Sequence, residues 1–525
     1  YGTQEQRRRQ LIEVGSGKAY EQERVLTMKI LYIDIDSLRP DHLGCYGYPR
    51  ATSPTIDRLA SEGTRFENVM TSDSPCLPSR TALWSGQFGF HTGVVGHGGS
   101  AADPFPEGRR RDFRDSFYKN GWMTALRAAG HHTATISSFG ERHSAWHWYA
   151  GWNDIINPGG LGIERADAVV PLAIEWVRRH AWRTPDWFLH VNLWDAHTPY
   201  RAPEDFRPSF LSEAPAGWVD AAMLERFRSG FGPHSAQEAC GYDGSCDPHY
   251  PGAPGPVADL GDVRAWIDGY DRSLRFADDW IGRLIDALAR EGVLEETMII
   301  VSADHGENLG ELNIWGDHQT ADRITCRVPL IVKWPGGGAG QVDRTWHYPF
   351  DWAATLIELA GGTVPETWDG ISFAGAFCAG REAGRDFLVT THGAWSCQRG
   401  VHFTADGRRW QMLLTYHDGY KDLPPLMMFD AEADPHETRN VSASEPGLVG
   451  RASALMIEWQ VQMMTRGAGN ADPLMTVMRE GGPFHCRGKL PAYLERLRRT
   501  GRDEQARTLE RKHPEDLGRR SMAIP

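Results

Sequence analysis

The sequence predicts an α/β protein: a large, mostly parallel mixed sheet sandwiched by helices, with a smaller C-terminal domain of antiparallel sheet plus helix. Two observations carry this. From residue 29 to about residue 370, short β-branched and aromatic runs alternate with amphipathic helical segments, the pattern of strands joined by crossover helices that cover both faces of a sheet. Beyond residue 386 the apolar runs are short and separated by turns, which reads as hairpins.

Taken in order, residues 1–27 are polar and charged and read as an N-terminal arm. Lys29–Ile35 (KILYIDI) is a buried strand; it carries Asp34, is followed by Asp36, and turns at Pro40. Ser53-Pro54 opens a helix with Ile56, Leu59 and Ala60 on one face. Residues 64–71 fit a strand, and Pro78 stands near the start of a helix over 79–84. A helix over 122–129 stops at Gly130 and a strand follows over 133–137. Ala166–His180 is an amphipathic helix, and Trp187–Leu193 a strand that runs into Asp195 and His197.

Residues 198–262, rich in Pro, Gly and Ala and without period, are expected to be an insertion near the site mouth. Apolar residues at 270, 274, 277, 281, 284, 285 and 288 place a helix over 266–288. Residues 297–303 (TMIIVSA) form a buried strand ending at Asp304-His305-Gly306, and 328–333 another, stopped by Pro335-Gly336. A helix over 350–359 ends at Gly361-Gly362.

The catalytic domain is thus expected over 28–370 and the small domain over 371–483. The small domain has strands near 387–391, 400–404, 409–415 and 427–430 and a helix over 447–464. Residues 484–525 are strongly charged and expected to be a solvated or subunit-bridging tail, which also suggests a homo-oligomer.

Composition narrows the function classes. A net charge of −13 argues against nucleic acid as a partner. No apolar run is long enough to span a bilayer, so no membrane partner is expected. The start lacks an apolar signal segment, which points to the cytoplasm. Eight cysteines in 525 residues do not make a disulfide scaffold; Cys240 and Cys246 are expected to be loop thiols, and the absence of CxxC disfavours a structural zinc site.

Three strands end in Asp or His: Asp34/Asp36, Asp195/His197 and Asp304/His305. Ligands bind at the carboxyl ends of strands in open α/β sheets. Asp36 and Asp304 are therefore candidates to share a divalent cation of the calcium, magnesium or manganese kind, with His305 keeping zinc open. Cys76-Leu77-Pro78-Ser79-Arg80 puts a thiol in a Pro-rich loop at a helix start, beside a guanidinium suited to sulfate or phosphate oxygens. Trp146, Trp148 and Trp152 with His143 and His147 crowd one loop, as a ring-stacking surface or as packing. Arg109, Arg110, Arg111 and Arg114 form a basic run.

These motifs carry a family resemblance. Cys76 to Arg80 matches the sulfatase signature Cys-x-Pro-x-Arg. Asp36 to Gly47 and Ser302 to Glu307 resemble that family's two metal-bearing segments, Ser53 to Ala60 its next helix, and Phe429 to Glu437 its C-terminal strand and turn.

The resemblance implies the alkaline-phosphatase-like superfold. It implies that a maturation enzyme oxidises Cys76 to formylglycine, whose hydrate attacks the ester and then collapses to release sulfate. It implies a metal held by Asp36, Cys76, Asp304 and His305, calcium first with Mn2+ or Mg2+ as alternatives. Arg80 and His197 would contact the substrate and His318 would protonate the leaving oxygen. The substrate class it implies is a small sulfated ester or sulfated sugar, with a phosphonate monoester or phosphodiester as the alternative.

Two departures stand out. Ser37 occupies the position of a second adjacent aspartate; Asp34, which shares a strand face with Asp36, either replaces that ligand or pairs with a cation elsewhere. The family's Lys-x-His pair is absent, and Arg142 or His143 is the nearest substitute. His143 and Trp146 complete the expected substrate contacts.

Overall fold

A computed structural model describes residues 28–105, 116–215, 217–466 and 471–517. The N-terminal arm, the arginine run at 109–111 with Arg114, and the last eight residues of the tail lie outside the described residues.

Among the described residues eleven strands precede the C-terminal region: β1 (Lys29–Ile35), β2 (Thr64–Met70), β3 (Asp73–Ser74), β4 (His132–Ile136), β5 (Asp154–Ile156), β6 (Trp187–Leu193), β7 (Thr297–Ser302), β8 (Asn308–Leu309), β9 (Trp315–Asp317), β10 (Arg327–Lys333) and β11 (Gln341–His347). Eight of them make one mixed sheet in the order β11-β2-β10-β7-β1-β6-β4-β5. β1 lies in its middle, parallel to β6 on one side and β7 on the other. β10 is antiparallel to β7 and β2. Every residue of β1, β6 and β7 is buried, because helices cover both faces and leave no side exposed to water. The consequence is functional: the carboxyl ends of β1, β6 and β7 fall side by side, and with them Asp36, Asp195, His197, Asp304 and His305.

The helix expected over 266–288 runs from Leu260 to Arg290. Apolar spacing locates the buried stripe but not the start. Asp259 caps the N-terminus through Gly261 and Asp262, and the Asp262 carboxylate reaches back to complete a capping box. Among the described residues no helix is long and apolar enough to cross a membrane.

The small sheet contains β12 (Phe387–His392), β13 (Cys397–Ala405), β14 (Arg408–His417) and β15 (Leu426–Asp430), all antiparallel neighbours. Its fifth member is β3, from the loop just before Cys76, which pairs parallel to β12 through Asp73–Thr391 and Ser74–His392. The segment presenting Cys76 is therefore pinned by both sheets.

Two expectations are corrected here. Cys240 and Cys246 are joined as a disulfide; Gly241 and Gly244, both at positive φ, turn the short loop so that the two Cα atoms lie 5.3 Å apart. The charged tail, as far as residue 517, is not a solvated extension. It folds into helices Leu490–Arg499 and Asp503–Lys512, whose Leu490, Tyr493, Leu494, Leu497, Ala506 and Leu509 pack with Phe231 and Tyr420. The charge count hid an apolar stripe at helical spacing, and Glu238, buried in the segment 198–262, holds Arg496 and Arg502. Leu497→Ala is expected to cost about 2–5 kcal/mol, read as a lowered denaturation midpoint and faster proteolysis of the C-terminal helices.

Candidate active site

The Cys76–Ser85 helix begins at the floor of the cleft and is buried along its whole length. Cys76 Sγ lies 3.1 Å from His305 Nε2. His305 donates from Nδ1 to the Gly306 carbonyl at 2.8 Å, which turns the Nε2 lone pair toward the sulfur. Asp36, Cys76, Asp304 and His305 offer donor atoms that all lie within 4.8 Å of one another, and all four are buried.

Arg80 rises one helical turn beyond Cys76. Its Nε donates to Asp34 at 2.8 Å, and its Nη1 donates to Asp36 at 2.9 Å and to Asp304 at 2.5 Å. The guanidinium sits between the rings of Phe139 and Trp194, while Nη2 is buried without a protein partner. Three buried carboxylates thus surround one cation. Burial, followed by repulsion from Asp36 and Asp34, holds Asp304 well above the usual carboxylate range despite Arg80. Burial also pushes Asp36 upward, but Arg80, His197 and His305 outweigh it and hold its carboxyl low. This excess of negative charge, with oxygen, sulfur and imidazole donors converging, fits a divalent cation.

Asp34 stands outside that group of four. Its carboxylate accepts from Arg80 and from His190 Nε2 at 3.2 Å, and His190 in turn is bonded to Thr135 through Nδ1. Of its two expected roles, replacement ligand or partner of a cation, it takes the second and holds Arg80. Ser37 adopts positive φ (+62°) and bonds Asp36 through Oγ at 3.1 Å and Asp304 Oδ1 through its N–H at 3.2 Å. Tyr270, from the long helix, donates to the Ser37 carbonyl and accepts from the Arg39 N–H, which clamps this strained turn.

His197 and His318 each bring a ring nitrogen within 4.8 Å of Cys76 Sγ. Burial drives His197 down to about 4, so it is neutral at pH 7. His318 goes the other way. Burial alone would lower it, but Asp317, Cys76 and Glu307 outweigh burial and raise it well above the ordinary imidazole value. Glu307 bonds His318 Nδ1 at 3.0 Å and is itself held by the Thr198 N–H, the Thr198 hydroxyl and Tyr200.

Above these groups opens a cavity of about 850 Å³ lined by Cys76, Arg142, His143, His197, Asp317 and His318, with Trp395 and His485 from the C-terminal region. Trp395 and His485 stack with ring centroids 4.4 Å apart. His97 Nε2, His143 Nε2 and His234 Nδ1 are buried at this wall without a protein partner. Trp146, expected to touch substrate, is 42 % exposed and donates to Asp103 at the rim. Trp148 and Trp152 are core, packed on Trp84 and His190. Indoles in a short loop satisfied the strongest demand for apolar cover, which came from the sheet face.

Residue-type reading missed several of these positions. His190 and Tyr270 look like core residues in the sequence, Glu307 lies inside the quoted Ser302–Glu307 motif but has no evident partner there, and Trp395 and His485 come from segments read as remote. β6 pairs Asn192 with Asp34, so His190, two residues earlier, shares the face of Asp34, a neighbour that only the strand pairing reveals.

Comparison with known proteins agrees with this geometry. The sulfatase family model matches residues 29–362, and the model of the N-sulphoglucosamine sulphohydrolase C-terminal region matches residues 310–449. The chain is 24% identical over 513 residues to a multifunctional alkaline phosphatase superfamily protein from Trinickia caryophylli, covering 82% of this chain and 92% of that one. It is 27% identical over 436 residues to a choline-sulfatase from Rhizobium meliloti, covering 76% and 80%. Among solved structures, an enzyme in complex with its substrate D-glucosamine-2-N,6-O-disulfate aligns with a TM-score of 0.62 at 18% identity, covering 85% of this chain and 99% of that one. The phosphonate monoester hydrolase of Agrobacterium radiobacter aligns with a TM-score of 0.62 at 19% identity, covering 83% and 96%.

Proposed function

The chain belongs to the sulfatase family, a family of hydrolases on the alkaline-phosphatase-like fold, and from that premise we propose that it cleaves the O-sulfate ester of a small alcohol or sugar through a formylglycine derived from Cys76. The observation that carries the reading is the convergence of Cys76, Asp36, Asp304, His305 and Arg80 at one buried point beneath an open polar cavity.

Asp36, Asp304 and His305, with an oxygen of the modified Cys76 in place of its sulfur, would hold a calcium ion, with Mn2+ or Mg2+ as alternatives. Such a cation supplies Lewis acidity at the nucleophile and at a sulfuryl oxygen. Modified Cys76 supplies a hydrated aldehyde, which gives the covalent sulfate ester an exit that a plain alcohol lacks.

This chain's own residues do the rest. Arg80 keeps the carboxylates of β1 and β7 oriented and leaves Nη2 for an anionic oxygen. His197, neutral, donates or accepts one hydrogen bond at the sulfuryl group without adding charge. His318 is held as an imidazolium by Glu307 and Asp317 and gives its proton to the departing oxygen. Neutral histidines dominate the wall, so a singly charged ester suits the cavity better than a dianion. His97, His143 and His234, each with an unpartnered imidazole nitrogen, line the cavity and offer hydrogen bonds to a hydroxylated leaving group.

The test is a panel of sulfate monoesters, phosphate monoesters, phosphodiesters and phosphonate monoesters assayed on calcium-loaded, matured protein. Highest kcat/KM on sulfate esters supports the reading. Phosphodiester or phosphonate turnover higher by orders of magnitude replaces it with the alternative.

His318→Gln provides a finer check. It is expected to lower kcat by about 10²- to 10⁴-fold on an alkyl sulfate and far less on nitrophenyl sulfate, whose leaving group needs no proton. Equal losses on both substrates would remove the general-acid role.

A further inference from the structure

We propose that His132, Asp154 and His180 form a second metal site, for zinc or a similar imidazole-preferring divalent ion, at the end of the sheet opposite the active site. His132 opens β4, Asp154 opens β5, and His180 closes the Ala166–His180 helix. Both strands run parallel to β6 and β1, so these first residues lie a strand length away from the carboxyl ends that bear Asp36 and His197.

One ligand atom from each of the three residues falls within 4.8 Å of the other two. His132 Nε2 is 2.8 Å and His180 Nε2 is 3.9 Å from the same Asp154 oxygen, Oδ2. Tetrahedral zinc with bonds near 2.0–2.1 Å needs ligand atoms about 3.3 Å apart, so one contact must lengthen and the other shorten by roughly half an ångström. The side chains are between a quarter and a third exposed, which gives an ion a way in and leaves water as the fourth ligand.

What distinguishes this trio from ordinary surface ion pairs is Trp176. Its backbone carbonyl accepts from His180 Nδ1 at 2.9 Å, which places the proton there and leaves the Nε2 lone pair facing Asp154. Its indole Nε1 donates to Asp154 Oδ2 at 2.9 Å, and its ring stacks on His180 at 4.2 Å. A single buried residue thus orients two ligands, as the outer shell of a metal site does. The ion would take the place of the hydrogen between His132 Nε2 and Asp154, the imidazole proton moving to Nδ1, and would tie the C-terminus of that helix to the edge of the sheet. It needs none of the CxxC spacing by which structural zinc is usually read.

The experiment is a cobalt(II) titration of the full-length, calcium-loaded protein, followed by visible absorption, with bound zinc counted in parallel. The wild type is expected to show one equivalent with the intense bands of low-coordinate cobalt. His132→Ala with His180→Ala is expected to lose that equivalent, and His180→Gln alone to weaken it by at least 10-fold. Asp36→Asn, at the catalytic centre, is expected to retain it. Ester turnover, unchanged in the His132/His180 variants, verifies folding. A wild type without such bands, or His variants that keep the full equivalent, would overturn the site.

Discussion

Replacing Cys76 with alanine is expected to lower kcat on sulfate esters by about 10⁴-fold or more, with the fold unchanged by circular dichroism. The magnitude follows from what Cys76 must become. As a thiol it is a poor nucleophile here: burial first, and then Asp36, push it up to about 12, so almost no thiolate exists at neutral pH. Oxidation to an aldehyde removes that obstacle. The tryptic peptide covering residues 66–80 is therefore expected about 18 Da lighter than its unmodified mass, as the thiol becomes an aldehyde. Full turnover from protein in which this peptide carries an intact thiol would sink the formylglycine mechanism. Cys76→Ser separates the two halves of the argument. It keeps an oxygen nucleophile but no second hydroxyl, so it is expected to form a covalent ester and stall after a single turnover, visible as a stable mass increase.

Arg80→Gln is expected to cost about 3–5 kcal/mol in chelator, because one partner of a buried ionic cluster is removed while the others stay. Arg80 is fully buried and contacts three carboxylates that water does not reach. The sign of the calcium effect is the sharper test. Without the guanidinium the cluster gains more from a divalent cation, so calcium is expected to raise the denaturation midpoint of Arg80→Gln by more than that of the wild type. Activity is expected to fall at least 10²-fold even in calcium, since the substrate hydrogen bond proposed for Nη2 is lost as well. Urea melts with chelator and with calcium check both statements. Equal stability of the two proteins in chelator would show that protonation, not Arg80, balances the charge.

Much of this site was legible in the sequence because its chemistry is local. Cys76 to Arg80 needs one turn of helix to bring thiol and guanidinium to the same pocket, and Asp304-His305 is a dipeptide at a strand end. Strand ends were legible because β1 and β7 are unbroken apolar runs. Asp34 shows the limit. Period-two geometry places it on the face of Asp36, but its partner depends on which strand lies alongside, and β6 brings His190. Trp146, Trp148 and Trp152 show another: composition put them in one loop, while the choice between cavity and core was made by the bare sheet face beside Trp84.

The sequence by itself determined the strand–helix order, the Cys76–Arg80 motif and the acidic strand ends, since each rests on spacing along the chain. The tertiary structure alone decided which strands are neighbours, that β3 ties the Cys76 loop to the small sheet, and that residues 490–512 pack as helices against Phe231 and Tyr420. It also decided that Glu307 faces His318 and that Trp395 and His485 wall the cavity. Those are contacts between residues far apart in the chain, and no local propensity or period encodes them; burial of apolar surface and satisfaction of buried charge select them only once the whole chain has folded.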